Sequence, residues 1–237
     1  MRLFIGLLAL LVTQQSLAAL RGHSAQAGSG SSWTEAYSGA GNIVAGDLVI
    51  VVDYQNGGTG AFTVTGPGCT FTAGTSLSPT VGDTVNSNQW GISVCIATSG
   101  DAGTPTYSTS SSVGGGNYAQ QILVYSGRVN SSISAAFGNS AQTAQATPGA
   151  NPFTYSMTGL TALSGDDIVI VNPIGPTTGT SQTFTTSATG YSDALAISTA
   201  TTNGPAINSI DKVGSSAGAT GTISVTATAA GGSGNNW

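Results

Sequence analysis

Ala45-Gly46-Asp47-Leu48-Val49-Ile50-Val51-Val52-Asp53-Tyr54 decides the fold of this chain. Five consecutive apolar residues, four of them β-branched, follow a Gly-Asp turn and are closed off by Gln55-Asn56-Gly57-Gly58. Branched side chains lose rotamer freedom in a helix and pack well on a pleated surface, and an unbroken apolar run leaves no face for water. The stretch therefore predicts a central strand buried on both faces. A near-copy lies 119 residues later, where Ser164-Gly165-Asp166-Asp167-Ile168-Val169-Ile170-Val171-Asn172 repeats the turn, the acid and the branched run.

Around the first copy, Leu20 to Ser24 and Trp33 to Tyr37 read as strands, the second with Trp33, Glu35 and Tyr37 on one face. Phe62 and Val64 alternate with threonines, and Gly66-Pro67-Gly68-Cys69-Thr70 turns the chain. In Gln89 to Ala97 the residues Trp90, Ile92, Val94 and Ile96 share one face, which puts Cys95 on the other. Thr104 to Ser110 and Tyr118 to Tyr125 complete the first set of strands. The pattern restarts at Pro152, with Phe153, Tyr155 and Met157 alternating, and ends with Ile223 and Val225 set opposite Thr222, Ser224 and Thr226.

Short matches at nearly constant offset tie the two stretches together: Gly103-Thr104 falls on Gly221-Thr222, and Gly116-Asn117-Tyr118 on Asn235-Asn236-Trp237. Similar turn chemistry recurs at Gly68-Cys69 and Gly190-Tyr191. Two divergent copies of one β unit explain these matches economically. The expected fold is all-β, a two-layer antiparallel β-sandwich of jelly-roll or Ig-like type, with half 1 over residues 19–130, a small, polar linker over 131–150 and half 2 over 151–237. Because Tyr118 opens a strand while its counterpart Trp237 is the last residue, the final strand of half 2 is expected to be missing, through truncation or because a neighbouring subunit supplies it.

Residues 1–18 have a basic end, an apolar run from Leu3 to Val12 and small residues before Ala19. That arrangement predicts a secretory signal peptide cleaved after Ala18, with an N-terminal apolar helix as the alternative.

Only 5% of the residues are charged, where an ordinary soluble domain has about 25%. Ser, Thr, Asn and 35 Gly take their place, so the surface is neutral and rich in hydrogen-bonding groups. Four basic residues, Arg2, Arg21, Arg128 and Lys212, in a chain of net charge −5 cannot neutralise a run of phosphates, and nucleic acid is not an expected partner.

Candidate chemistry is sparse. Cys69 and Cys95 pair as one disulfide in an exported chain, or stay as two thiols in a reducing cytoplasm. His23 is the sole histidine and no nucleophile-elbow motif accompanies it, so it reads as a strand or surface residue. Asp47 and Asp166 follow glycines where carboxylates accept turn amides. Calcium held with help from Asp83, Asp101 or Asp211 lacks any supporting loop motif. No catalytic residue, cofactor site or metal site is assigned. Trp33, Tyr107 and Tyr191 are the candidates for stacking on a glycan, while Trp90 belongs to the core by its alternation.

Leu20-Arg21-Gly22, Gly46-Asp47-Leu48 with its apolar run, Gly66-Pro67-Gly68-Cys69-Thr70, the Gln89 to Ala97 strand and Tyr125-Ser126-Gly127 come in an order that resembles β-sandwich modules of bacteriophage structural proteins and bacterial surface proteins. In those modules the turn usually reads Pro-Pro-Gly-Trp-Thr and the later strand ends in a Tyr-Arg-Gly-like corner. Here Cys69 stands in place of Trp and Ser126 in place of Arg. The resemblance implies a virion or cell-surface location, neighbouring copies or other virion proteins as partners, and no transferred site residue. The expected function is a non-enzymatic, tail-associated virion protein that touches host surface glycans. A secreted adhesin or carbohydrate-binding module is the alternative, and a glycan-degrading enzyme, which needs paired carboxylates, the second alternative.

Overall fold

The computed structural model describes residues 4–5, 9–13, 20–56, 60–73, 82–85, 88–112, 114–126, 133, 140–141, 153–158, 160–162, 166–174, 182–186, 189–198, 205–212 and 215–229. The first strands in chain order are β1 (Phe4–Ile5), β2 (Ala9–Thr13), β3 (Leu20–Gly30), β4 (Ser32–Ala36), β5 (Leu48–Asn56) and β6 (Phe62–Thr65). They are followed by β7 (Thr72–Ala73), β8 (Gly82–Val85), β9 (Asn88–Ile96), β10 (Thr106–Ser111), β11 (Gly116–Tyr125) and β12 (Ser140–Ala141). The second half contributes β13 (Phe153–Met157), β14 (Thr161–Ala162), β15 (Asp166–Ile174), β16 (Gln182–Thr186), β17 (Ser192–Ser198), β18 (Ala206–Lys212), β19 (Gly218–Ala219) and β20 (Ile223–Ala229).

β5 is central, as its sequence requires. It lies between β11 and β9 in a large antiparallel sheet ordered β3-β11-β5-β9-β7, with β8 also on β9. A three-stranded sheet, β4-β10-β6, covers one face of it. Between these two layers are Tyr37, Ile43, Val49, Val51, Cys95, Tyr107, Ile122 and Val124. The second half repeats the arrangement: β15 and β18 are neighbours in a large sheet ordered β12-β2-β1-β15-β18-β17, and β13-β20-β16 has the order of β4-β10-β6. Even the isolated bridge from Ile43 to Gly103 has a counterpart in the β14-β19 pair. The expected duplication is thus visible as topology.

Half 1 is a two-layer sandwich, and its large sheet packs against the large sheet of half 2. Leu48, Ile50, Val52, Tyr54, Ile92, Val94 and Leu123 of the first half share one core with Val169, Val171 and Ile207 of the second. That is why both apolar runs have no polar face. Leu48 to Val52 are all 0% exposed, and each such side chain contributes about 1.5–3 kcal/mol relative to exposure. Polar contacts also cross this core: Gln121 Nε2 donates to the Ile207 carbonyl at 3.1 Å, and Ser209 Oγ donates to Gln121 Oε1.

The described residues of the N-terminal apolar run form β1 and β2 and not the helix given as the alternative. β1 pairs parallel to β15 (Phe4↔Ile168, Ile5↔Val169), and β2 pairs antiparallel to it (Thr13↔Asp166, Val12↔Asp167). Together they take the place beside β15 that β11 holds beside β5. An open strand edge offers unpaired amides and carbonyls, and that tertiary demand overrides helix propensity. Residues 235–237, whose match to Gly116-Asn117-Tyr118 carries the expectation of a missing strand, and most of the linker over 131–150 lie outside the described residues.

Candidate functional site

Two places concentrate polar chemistry. The first is inside the sandwich of half 1. Alternation along β5 turns Val49, Val51 and Asp53 toward the three-stranded sheet, so a carboxyl 1% exposed sits among apolar neighbours. Its oxygens are met by donors from three strands: Trp33 Nε1 at 3.2 Å and Gln120 Nε2 at 2.8 Å to Oδ1, and Thr109 Oγ1 at 3.4 Å to Oδ2. Gln26 Nε2 in turn donates to Gln120 Oε1 at 2.9 Å. On β4, two residues from Trp33, Glu35 is 7% exposed and its Oε2 has no hydrogen bond among the described residues.

Burial pushes Asp53 up to about 7, against the hydrogen bonds of Gln120, Trp33 and Thr109, and the charge of Glu35 adds to the rise. Glu35 is also raised to about 7, by burial, with the Ser24 hydroxyl opposing. In both carboxyls burial is the main cause of the rise, because a charge is disfavoured away from water. A glycosidase needs such a pair flanking an open bond, and this one is shut off from solvent.

Burial also corrects two of the stacking candidates. Trp33 is 5% exposed and stacks on Tyr118 with ring centroids 4.1 Å apart, with Phe62 edge-on at 5.9 Å. Tyr107 is 0% exposed and meets Phe71 edge-on at 5.4 Å. Both rings fill the half 1 core, because alternation turns them inward and the Asp53 network uses the indole nitrogen. No sugar reaches either.

Tyr191 is different: it is half-buried at the wall of a cavity of about 370 Å³ in half 2. Lys212, at the end of β18, sets its ammonium 5.6 Å from the Tyr191 ring centroid. Ala162 and Ile168 are the buried apolar part of the lining, and Ser215, Thr220 and Thr222 add hydroxyls. Ser215 is 5% exposed and its Oγ has no hydrogen bond among the described residues. Burial pushes the Tyr191 phenol up to about 12, so it stays a neutral donor.

The remaining sequence candidates have structural duties. Cys69 and Cys95 are joined by a disulfide, Cα to Cα 5.9 Å. Asp47 accepts the Val44 amide at 2.9 Å and pairs with Arg21 at 2.6 Å, whereas the side chain of Asp166 lies outside the described ones. Asp101 is used in the turn, accepting from the amides of Thr98 at 2.9 Å and Gly68 at 3.2 Å; the Asp83 side chain is outside the described ones. His23, on β3, is held below its usual range by burial, with Asp211 partly offsetting this. Among the described residues no three His, Cys, Asp or Glu converge as a metal site would need.

No family model, curated protein or solved structure matches the chain. Sequence reasoning did not find Glu35 and Asp53 as a pair, nor Lys212 and Ser215. An acid interrupting the inward face of an apolar run was the available signal for Asp53. Lys212 and Ser215 offered none, since their juxtaposition with Tyr191 depends on strand register.

Proposed function

We propose that this protein is a non-catalytic structural component of a bacteriophage particle, tail-associated, that contacts host surface glycans through the cavity at Tyr191. The observation that carries this reading is the combination of a half-exposed tyrosine ring and several hydroxyls in one concavity, on a chain with almost no surface charge. Sugars are bound by aromatic faces and by hydroxyl and amide hydrogen bonds, both of which this surface supplies. The only described acids that approach each other with raised affinity for protons are buried, which supports binding without hydrolysis. Two large sheets packed face to face through one apolar core suit a load-bearing part among neighbouring copies.

A secreted adhesin or carbohydrate-binding module is the second reading, favoured by the disulfide, because such bonds persist in oxidising compartments. The two share the binding face and differ in where the protein is found.

A glycan array probed with the full chain tests the shared claim. Binding to a discrete set of glycans is expected, and Tyr191→Ala should weaken it at least about tenfold, the loss of one stacking contact worth roughly 1.4 kcal/mol. An array with no signal, or a signal that Tyr191→Ala leaves unchanged, would count against the site.

A further inference from the structure

The register of the two halves shows what changed between them. Val49 faces Cys95 across the β5–β9 pair, and Ile168, the counterpart of Val49, faces Lys212 across β15–β18. Lys212 therefore stands where half 1 has Cys95, and Tyr191, one residue before the Ser192 that faces Asp211 as Thr72 faces Val94, stands in register where half 1 has Phe71, two residues from Cys69. Half 1 closes this corner with a covalent bond, and Cys95 is 0% exposed. Half 2 has a cation, a phenol ring and a cavity of about 370 Å³ there.

We propose that this cavity binds a sugar bearing a carboxylate, with Lys212 as the residue that selects the acid. The inference rests on the glycan-binding reading and narrows it to acidic sugars. Among the described side chains Lys212 has no carboxylate partner, whereas Arg21 is paired with Asp47. An ammonium drawn over a ring at a cavity wall is partly stripped of water, so an incoming carboxylate gains more from it than from a lysine in bulk solvent. Ser215 Oγ is a second independent sign of a ligand, because a hydroxyl nine-tenths buried without a partner is costly unless something completes its hydrogen bond. Ala162 and Ile168 give the apolar floor, and Thr220 places a further hydroxyl on the rim, its Oγ1 3.3 Å from the Leu160 carbonyl. The volume falls in the lower part of the range for small-molecule sites, suited to one sugar unit more than to a long chain.

The test uses the isotope-labelled full chain titrated with glucuronate and galacturonate and, in parallel, with neutral glucose and galactose, followed by amide chemical shifts. The acids should bind at least about tenfold more tightly than their neutral parents, with shifts centred on Tyr191, Lys212 and Ser215. Lys212→Gln should reduce the acids to the affinity of the neutral sugars, and Lys212→Arg should keep the preference. A wild-type amide spectrum for Lys212→Gln shows that the fold is intact. Equal affinity for acid and neutral sugars, a preference that survives Lys212→Gln, or shifts elsewhere would overturn the inference while leaving glycan binding standing. No shift with any of the four sugars overturns the inference, and together with a blank glycan array it removes the wider reading too.

Discussion

Asp53→Asn should make the folded chain more stable at pH 8, by a few kcal/mol, and should flatten its stability as a function of pH. Asp53 holds its proton to about pH 7 in the folded state because burial disfavours the charge, whereas the unfolded carboxyl releases it near 3.8. Between those values the folded state binds more protons than the unfolded one, so stability falls as pH rises. The contribution is fully present below about pH 4, is lost progressively up to about pH 7, and is flat above. A rise from 3.8 to about 7 corresponds to roughly 4 kcal/mol as an upper figure. Glu35, also raised to about 7, loses stability over the same window.

The asparagine fits the existing donors. Its Oδ1 can accept from Trp33 and Gln120, which both point at Oδ1 of Asp53, and its amide can donate to Thr109 Oγ1. Half 2 already has this chemistry: the counterpart of Asp53 is Asn172, 1% exposed, whose Nδ2 donates to Asn208 Oδ1 at 3.2 Å. In register, the counterpart of Glu35 is Tyr155, since Glu35 faces Tyr107 and Tyr155 faces Val225. The fold therefore does not require acids at these places. Urea denaturation of both proteins between pH 4 and 8 checks this: the curves should meet near pH 4 and part as pH rises. Parallel curves would show that Asp53 does not titrate in that range.

Removing the disulfide has the other large effect. The bond joins residues 26 apart, and closing a loop of that size in the unfolded chain is worth about 3.5 kcal/mol. Cys69→Ala with Cys95→Ala should lower the unfolding free energy by roughly 3–4 kcal/mol, seen as a lower urea midpoint, with an added contribution because Cys95 belongs to the half 1 core. At the counterpart corner in half 2 the described residues are joined by the Lys212–Tyr191 contact, a cation–π interaction worth about 0.5–1 kcal/mol where exposed. Lys212→Gln should therefore leave the midpoint nearly unchanged. Equal losses from the two corners would contradict the assignment of one as a staple and the other as a ligand site.

The fold was legible where side-chain period and branching leave little choice. Leu48 to Val52 and Ile168 to Val171 announced central strands, and the alternation in Gln89 to Ala97 placed Cys95 on the face opposite Ile92 and Val94. The stacking of the two halves was implicit in the same runs, because a strand without a polar face must be covered on both sides, yet one sequence does not say by what. The stacking candidates divide for a similar reason. Trp33 and Tyr107 carry the same chemistry as Tyr191, and only the position of the covering sheet separates core rings from a cavity wall. The Glu35–Asp53 pair was hidden because its members are 18 residues apart on strands in different layers.

Amide hydrogen exchange along β5 and β15 in the intact chain most directly tests the central structural claim, that two related halves share one core through their large sheets. If Leu48, Ile50 and Val52 pack against Val169, Val171 and Ile207, both strands are interior to a single cooperative unit. Their amides should then be among the slowest to exchange and should open with the same free energy. Exchange of β15 orders of magnitude faster than β5, with β5 fully protected, would contradict the stacked architecture and leave two independent halves.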